Sequence, residues 1–256
     1  MSSVGSYKTT KKDGTLSFRA SITYRNKHIS LGSFSTEALA TKAYEYAGKL
    51  LYSQKSIADY KNSCPLSFDK YVILVNFRDN KVYFKNPIYL QKRYFLYYLS
   101  RDMVYTFDIE DLFYYAEHKI SKRGGHLFVA DYGMQVNINS RYGIKRHAVL
   151  NRDYRFINND IYDYRYENIE IINKYHGVLK QTDNEYKAVI LINGNYNIGT
   201  YPTEQEAAIA YNKAVDTVKK KYPDKNYELN YIESLTPSGY AEIYTRIKIS
   251  DKLYNL

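Results

Sequence analysis

Tryptophan is absent from this chain, and cysteine occurs once, at Cys64. A single thiol excludes an internal disulfide framework and a zinc site built on cysteines, and it fits a reducing compartment. The N-terminal MSSVGSYKTTKK has no apolar core segment, so no secretory signal is expected. Long hydrophobic runs are missing as well: the most apolar stretch, YFLYYLSRDMVYTF, is interrupted by charge and falls short of a bilayer span. The expected setting is therefore cytosol, nucleus or virion, with no membrane partner. Acidic residues are also in deficit, 27 against 37 Lys and Arg, for a net charge of +10.

What is present is a chain of 256 residues, long enough for two or three modest domains with a real core. Its 45% hydrophobic and 25% charged residues are ordinary for a globular protein. The charge balance and a pI near 9.2 are not: a basic surface favours polyanions, nucleic acid first and acidic membrane second. Tyrosine supplies 32 residues. Tyr, Lys, Asn and Ile share A/T-rich codons, so this bias reports genome composition more than chemistry. Some rings can stack on bases, while most are expected to be half-buried.

An internal repeat organises the chain. FRASITYRNKHISLGSFSTEALATKAYEYA (18–47) aligns with YKAVILINGNYNIGTYPTEQEAAIAYNKA (186–214) with one gap near the turn. Ala20, Ile22 and Gly32 match Ala188, Ile190 and Gly199, and Thr36, Ala40, Ala43, Tyr44 and Ala47 match Thr203, Ala207, Ala210, Tyr211 and Ala214. Phe18, Ala20 and Ile22 alternate with Arg19, Ser21 and Thr23, the period of a strand with one buried face. Arg25-Asn26 and Asn193-Gly194 supply hairpin turns. Thr203 and Glu206 form a capping-box pattern, and the alanine stripe is a packing face that lets a helix lie close to a sheet.

This order of elements resembles the APETALA2-type DNA-binding domain, over Tyr7 to about Leu51 and Tyr175 to about Val218. Tyr175-His176-Gly177-Val178 is similar to that family's opening Tyr-Arg-Gly-Val, and EAAIAYNKAVD matches its helix tail. Tryptophans common in plant members are absent, with Phe18 and Tyr186 at one such position. The resemblance implies a three-stranded sheet laid in the DNA major groove with a helix packed behind it.

Residues 156–171, FINNDIYDYRYENIEI, resemble an HNH-type homing endonuclease segment at Ile157, Asn158, Asp163, Arg165 and Asn168. Proteins that join such a core to APETALA2-type domains occur in phages, mobile introns and giant DNA viruses, and the layout here is similar to the giant-virus proteins. Chemistry of that type needs a histidine base, a carboxylate and a late Asn or His at a metal. The resemblance places Phe156 at the histidine position and Arg155 at the carboxylate position. Phenylalanine accepts no proton and arginine repels a cation, which leaves Asn168 alone of the trio. His147 and Asp153 lie nearby without restoring it. Asp163, Arg165, Glu167 and Asn168 are then expected to hold a turn, and Arg141, Lys145, Arg146, Arg152 and Arg155 to present charge to phosphates.

Between these landmarks, 53–67 reads as a linker and KYVILVNFRDNKVYF (70–84) as a hairpin turning at Arg78-Asp79-Asn80-Lys81. YLQKRYFLYYL (89–99) and IEDLFYYAEHKI (109–120) read as helices, Ser121 to Gly125 as a loop, and HLFVADYGMQVNI (126–138) as strands around Asp131-Tyr132-Gly133.

The sequence thus predicts an α+β fold: two three-stranded-sheet-plus-helix modules (1–52 and 174–233) flank a central α+β domain (66–173) with a degenerate ββα-metal, HNH-like segment, and a C-terminal extension follows (234–256). The leading expectation is a non-catalytic protein bound to duplex DNA, with no cofactor and no metal. A homing-type endonuclease and an RNA- or ribonucleoprotein-associated structural protein are the alternatives. DNA contacts are expected at Lys8, Lys11, Lys12, Arg19, Ser21, Thr23, Arg25 and Lys27, at Lys187, and at the five central basic residues. The segment ahead of the first helix (7–34) carries six basic residues against Asp13, whereas the corresponding 175–201 is neutral. With Ala20 and Ala188 facing their helices, the outward sets are Arg19, Ser21, Thr23 and Lys187, Val189, Leu191. The first module is therefore expected to be the DNA arm, and the second to contact protein or a second copy of the chain.

Overall fold

The computed structural model of the protein describes residues 5–10 and 14–255; Lys11 and Lys12 lie outside them. The fold is α+β, with five small antiparallel sheets among the described residues. The chain divides into two compact units, Met1–Ile138 with Asp160–Tyr166, and Asn139–Asn159 with Glu167–Leu256.

The first unit opens with β1 (Ser6–Thr10), β2 (Leu16–Tyr24) and β3 (Lys27–Phe34), hydrogen-bonded in that order, and α1 (Glu37–Leu51). Arg25 and Asn26 take φ of 46° and 61° between the paired Tyr24 and Lys27, the left-handed pair that a two-residue hairpin needs. Thr36 starts α1 by accepting from the Leu39 amide at 3.3 Å. Ala40, Ala43 and Ala47 are fully buried against the sheet, so the alanine stripe packs as expected.

Residues 53–67 are folded rather than a free linker. A 3-10 turn spans Ile57–Asp59, and Leu66 enters the same core as α1. The hairpin expected over 70–84 is instead a helix, α2 (Phe68–Asn80). Ser67 accepts from the Lys70 amide, and Lys81, at φ 64°, ends the helix, so Arg78 to Lys81 are a helix terminus and not a hairpin turn. Tyr71 to Phe77 are buried without a break, which erases the helical period from the sequence. Tyr71, Leu74, Val75 and Phe77 join the α1 core. Asn76 faces elsewhere, donating to the Val82 carbonyl and accepting from the Leu90 amide, both at 2.9 Å.

The helix expected over 89–99 is also overturned. β4 (Ile88–Leu90), β5 (Tyr94–Tyr98) and β6 (Val104–Asp108) form a meander. Phe95 and Tyr97 are fully buried between half-buried Tyr94, Leu96 and Tyr98, a period of two. Of the helix expected over 109–120, only α3 (Leu112–Glu117) is α-helical, after a 3-10 turn over Ile109–Asp111, and it brings Tyr115 to 4.5 Å from Phe107, ring centre to ring centre. β7 (Ser121–Arg123), β8 (His126–Asp131) and β9 (Met134–Asn137) close the unit's third sheet. Tyr132 and Gly133, at φ 45° and 79°, make the turn expected there.

The second unit contains the pair β10 (Tyr154–Phe156) and β11 (Ile169–Ile171). The sheet β12 (Val178–Thr182), β13 (Glu185–Leu191), β14 (Asn195–Tyr201) follows, then α4 (Glu204–Lys219) and α5 (Pro237–Arg246). It reproduces the first module closely. Both sheets break register at the equivalent step, between Ala20 and Ser21 and between Ala188 and Val189. The equivalence reaches further upstream: the amide of Ser21 donates to the Gly5 carbonyl at 3.0 Å, and that of Val189 to the Gly177 carbonyl at 2.7 Å. Both glycines have positive φ, and a Cβ on either would enter the ring of Tyr44 or Tyr211. Thr203 accepts from the Glu206 amide at 3.2 Å, but Glu206 turns its carboxylate to Arg246 of α5. The 234–256 segment belongs to this core: Ile247, Ile249 and Leu253 are buried with Val215 and Val218, and Tyr201 donates to the Lys248 carbonyl at 2.7 Å. No helix among the described residues is long and apolar enough to cross a membrane.

Candidate nucleic-acid interface

Pairing fixes which side chains share a face, because facing partners project to the same side of an antiparallel sheet. On the side of the first sheet away from α1, Tyr7, Arg19 and Ser33 form one row, Ser21 and Ser30 a second, and Thr23 and His28 a third. Arg19, Thr23, His28, Ser30 and Ser33 are exposed. Thr23 Oγ1 lies 3.4 Å from His28 Nδ1. Arg25 stands at the hairpin tip with its guanidinium 5.5 Å from the centre of the Tyr24 ring. None of the three strands contains an Asp or Glu.

Arg19, Ser21 and Thr23 are thus gathered on one face as expected, with Arg25 at its end. Lys8 pairs with Phe18 and Lys27 with Tyr24, so both lie on the helix side of the sheet; Lys27 Nζ sits 5.0 Å above the Tyr83 ring. Sequence reasoning missed Tyr7, His28, Ser30 and Ser33, which reach the face through β1 and β3. Counting on in twos from the Arg25-Asn26 turn would have found His28 and Ser30; the register break hides Ser33, and Tyr7 depends on the β1–β2 pairing.

The equivalent face of the second sheet differs in chemistry. Lys187 lies between Leu179 and Thr200, Val189 faces Asn197, and Leu191, 65% exposed, faces Asn195.

Polar contacts, some exposed and some buried, hold the 145–159 and 167–173 segments of this unit. Arg155 pairs with Glu170 across β10 and β11 at 2.5 Å, and Phe156 is buried. Asn168 is buried too; its carbonyl accepts from the Ile157 amide at 2.8 Å and its side chain from the Asn158 amide at 2.9 Å. In the first unit, Asp163 pairs with Arg165 at 2.6 Å. Asp153 is the hub of the second unit. Its carboxylate accepts from the Val149 amide at 2.8 Å, from Arg152 Nη2 at 2.6 Å and from Asn173 Nδ2 at 3.0 Å. Asn173 in turn accepts from the Lys180 amide of β12. Burial alone would raise the Asp153 carboxyl, but the Arg152, Val149 and Asn173 bonds outweigh it and hold the group below the usual carboxylate range. Of the five central basic residues, Arg152 and Arg155 are therefore ion-paired, while Lys145 and Arg146 are exposed with no carboxylate partner among the described residues; Arg141 is exposed. Among the described residues no three His, Cys, Asp or Glu side chains converge as metal ligands would.

His147 stacks on His176, ring centres 4.6 Å apart and 18° from parallel. Both ring nitrogens of His147 are buried without a hydrogen-bond partner. Burial, then the neighbouring His176, pushes its pKa below the ordinary imidazole value, so the ring is neutral near pH 7. The pair borders a cavity of about 490 Å³ whose wall also includes Arg152, Val189, Leu191, Asn195 and Tyr227. Compared with protein-family models, curated proteins and solved structures, the chain gives no match.

Proposed function

We propose that the protein is a non-catalytic DNA-binding protein that reads duplex DNA with the outward face of β1, β2 and β3. The observation that carries this reading is the chemistry of that face: Arg19, hydroxyls and His28 in register, Arg25 at the tip, and no carboxylate on any of its strands. Arginine and hydroxyl groups donate to base edges and phosphates, whereas a single carboxylate there would repel the backbone. The net charge of +10 supports the same partner, and the resemblance of the module to APETALA2-type domains supports a sheet laid in the major groove. The non-catalytic part of the reading rests on Phe156 and Arg155 at the positions where the nuclease-like pattern needs a base and a carboxylate.

The experiment is a titration of labelled duplex DNA and duplex RNA of matched sequence with the full chain. Selective retention of DNA is expected, because A-form RNA closes its major groove to a sheet. Equal affinity for the two duplexes, or no retention at low salt, contradicts the proposal.

A further inference from the structure

We propose that the cavity bordered by His147 and His176 binds one unstacked nucleobase together with its phosphate. The choice of ligand class rests on the nucleic-acid reading above; the site itself rests on separate observations. The first is size and lining. About 490 Å³ lies within the usual range for pockets that enclose a small ligand, and Val189, Leu191 and Tyr227 give it an apolar and aromatic wall suited to a flat ring. The second is charge placement. Arg152 holds Asp153 through Nε and Nη2 while its side chain stays half exposed at the cavity, which leaves Nη1 for a phosphate. The third is the state of His147. Two buried imidazole nitrogens without a partner are costly in a folded chain. A modest rotation of the ring out of its stack would turn a donor or acceptor toward a base edge, and the Asn195 amide on the same wall offers the complementary pair.

These features also explain why the two sheets differ on their outward sides. The positions that carry Ser21 and Thr23 in the first module carry Val189 and Leu191 here, and both line the cavity. A simple anion site would not need that apolar wall. A purely apolar ligand would not need Arg152 or an unpartnered histidine.

The test is a proton–carbon NMR titration of the full chain with dAMP, dCMP, dGMP and dTMP in turn, followed at the ring carbons of the five histidines. Inorganic phosphate is the control. Saturable shifts are expected at His147 and His176, without shifts at His28, His118 and His126, and phosphate alone should not reproduce them. Leu191→Asp, a change at an exposed position, should weaken nucleotide binding at least tenfold while leaving the melting temperature unchanged. His147→Phe should abolish binding while the protein melts no lower. Absence of shifts at millimolar nucleotide, equal shifts with phosphate, or full binding by both variants overturns the inference. If His147→Phe does not fold, Leu191→Asp decides alone. Duplex binding measured on the same samples separates the two readings: nucleotide failure with intact duplex binding removes this site only, and the reverse removes the proposed duplex function only.

Discussion

Replacing Asp153 by asparagine tests whether this buried carboxylate is the structural hub of the second unit. The change preserves shape but not hydrogen-bonding polarity. Oδ2 receives the Val149 amide and Arg152, and Oδ1 receives Asn173 Nδ2 and the Arg152 Nε. An amide in either orientation sets an N–H against one of these donors and leaves Arg152 without its counter-charge. Asp153 is buried but Arg152 is half exposed, so water screens the charge left behind, and the loss is that of an unsatisfied buried hydrogen-bond group, about 1–3 kcal/mol. For a unit of about 110 residues this corresponds to a fall in melting temperature on the order of 5–15 °C. The assay is thermal unfolding followed by near-ultraviolet circular dichroism, with amide exchange at Val149 and Lys180 to localise the loss. The pH dependence has a defined sign. Asp153 is held below the usual carboxylate range, so its contribution is complete above that range and fades as pH falls through the depressed folded value. The gap between the two proteins should therefore narrow in acid. A loss below about 1 kcal/mol at neutral pH, or a gap that widens in acid, refutes the reasoning.

Gly177→Ala should destabilise the second unit by about 2 kcal/mol or more, because its Cβ would lie 2.4 Å from the Tyr211 ring and 2.5 Å from the Val189 carbonyl oxygen. Gly124→Ala, at φ 55° with open space around it, should cost only about 1 kcal/mol; equal effects in chemical denaturation would show that the close packing on Tyr211 is unimportant. Purified protein should leave supercoiled plasmid intact in magnesium or manganese, given Phe156 and Arg155 in the nuclease-like segment, and metal-dependent nicking abolished by Asn168→Ala would count against that expectation. Lys187→Ala should lower duplex affinity less than Arg19→Ala, since Lys187 is flanked by Leu179 and Thr200 while Arg19 lies among polar side chains; the reverse order would show that the charge argument chose the wrong sheet.

The two modules were legible because their signals are local. Alternation along 18–24, a two-residue turn at Arg25-Asn26 and alanines at helical spacing each act within a few residues, and the structure follows them. The equivalence of Gly5 and Gly177 was not legible, because it depends on rings more than 30 positions away along the chain, Tyr44 and Tyr211, that press on the glycine α-carbons. α2 and the β4–β5 hairpin were exchanged for one another by the same physics. Seven consecutive buried residues conceal a helical period, and aromatic residues at Tyr94–Tyr98 fit either period until one knows that Phe95 and Tyr97 alone are fully buried. The residues of the first outward face were half legible, since β2 was placed correctly but Ser33 depends on a register break and Tyr7 on the pairing of β1. The cavity beside His147 was invisible, because it needs residues from 147 to 227 to converge.

The central claim is that the outward face of the first sheet holds duplex DNA, and the salt dependence of Arg19→Ala with Arg25→Ala tests it most directly. Each phosphate neutralised contributes a slope of about −0.9 in log affinity against log salt, so loss of two contacts should flatten the slope by about 1.8 and weaken binding at every salt concentration. Circular dichroism should stay unchanged, as Arg19 is exposed and Arg25 sits at a turn tip. An unchanged slope and affinity in the double variant, with the fold intact, would contradict the account.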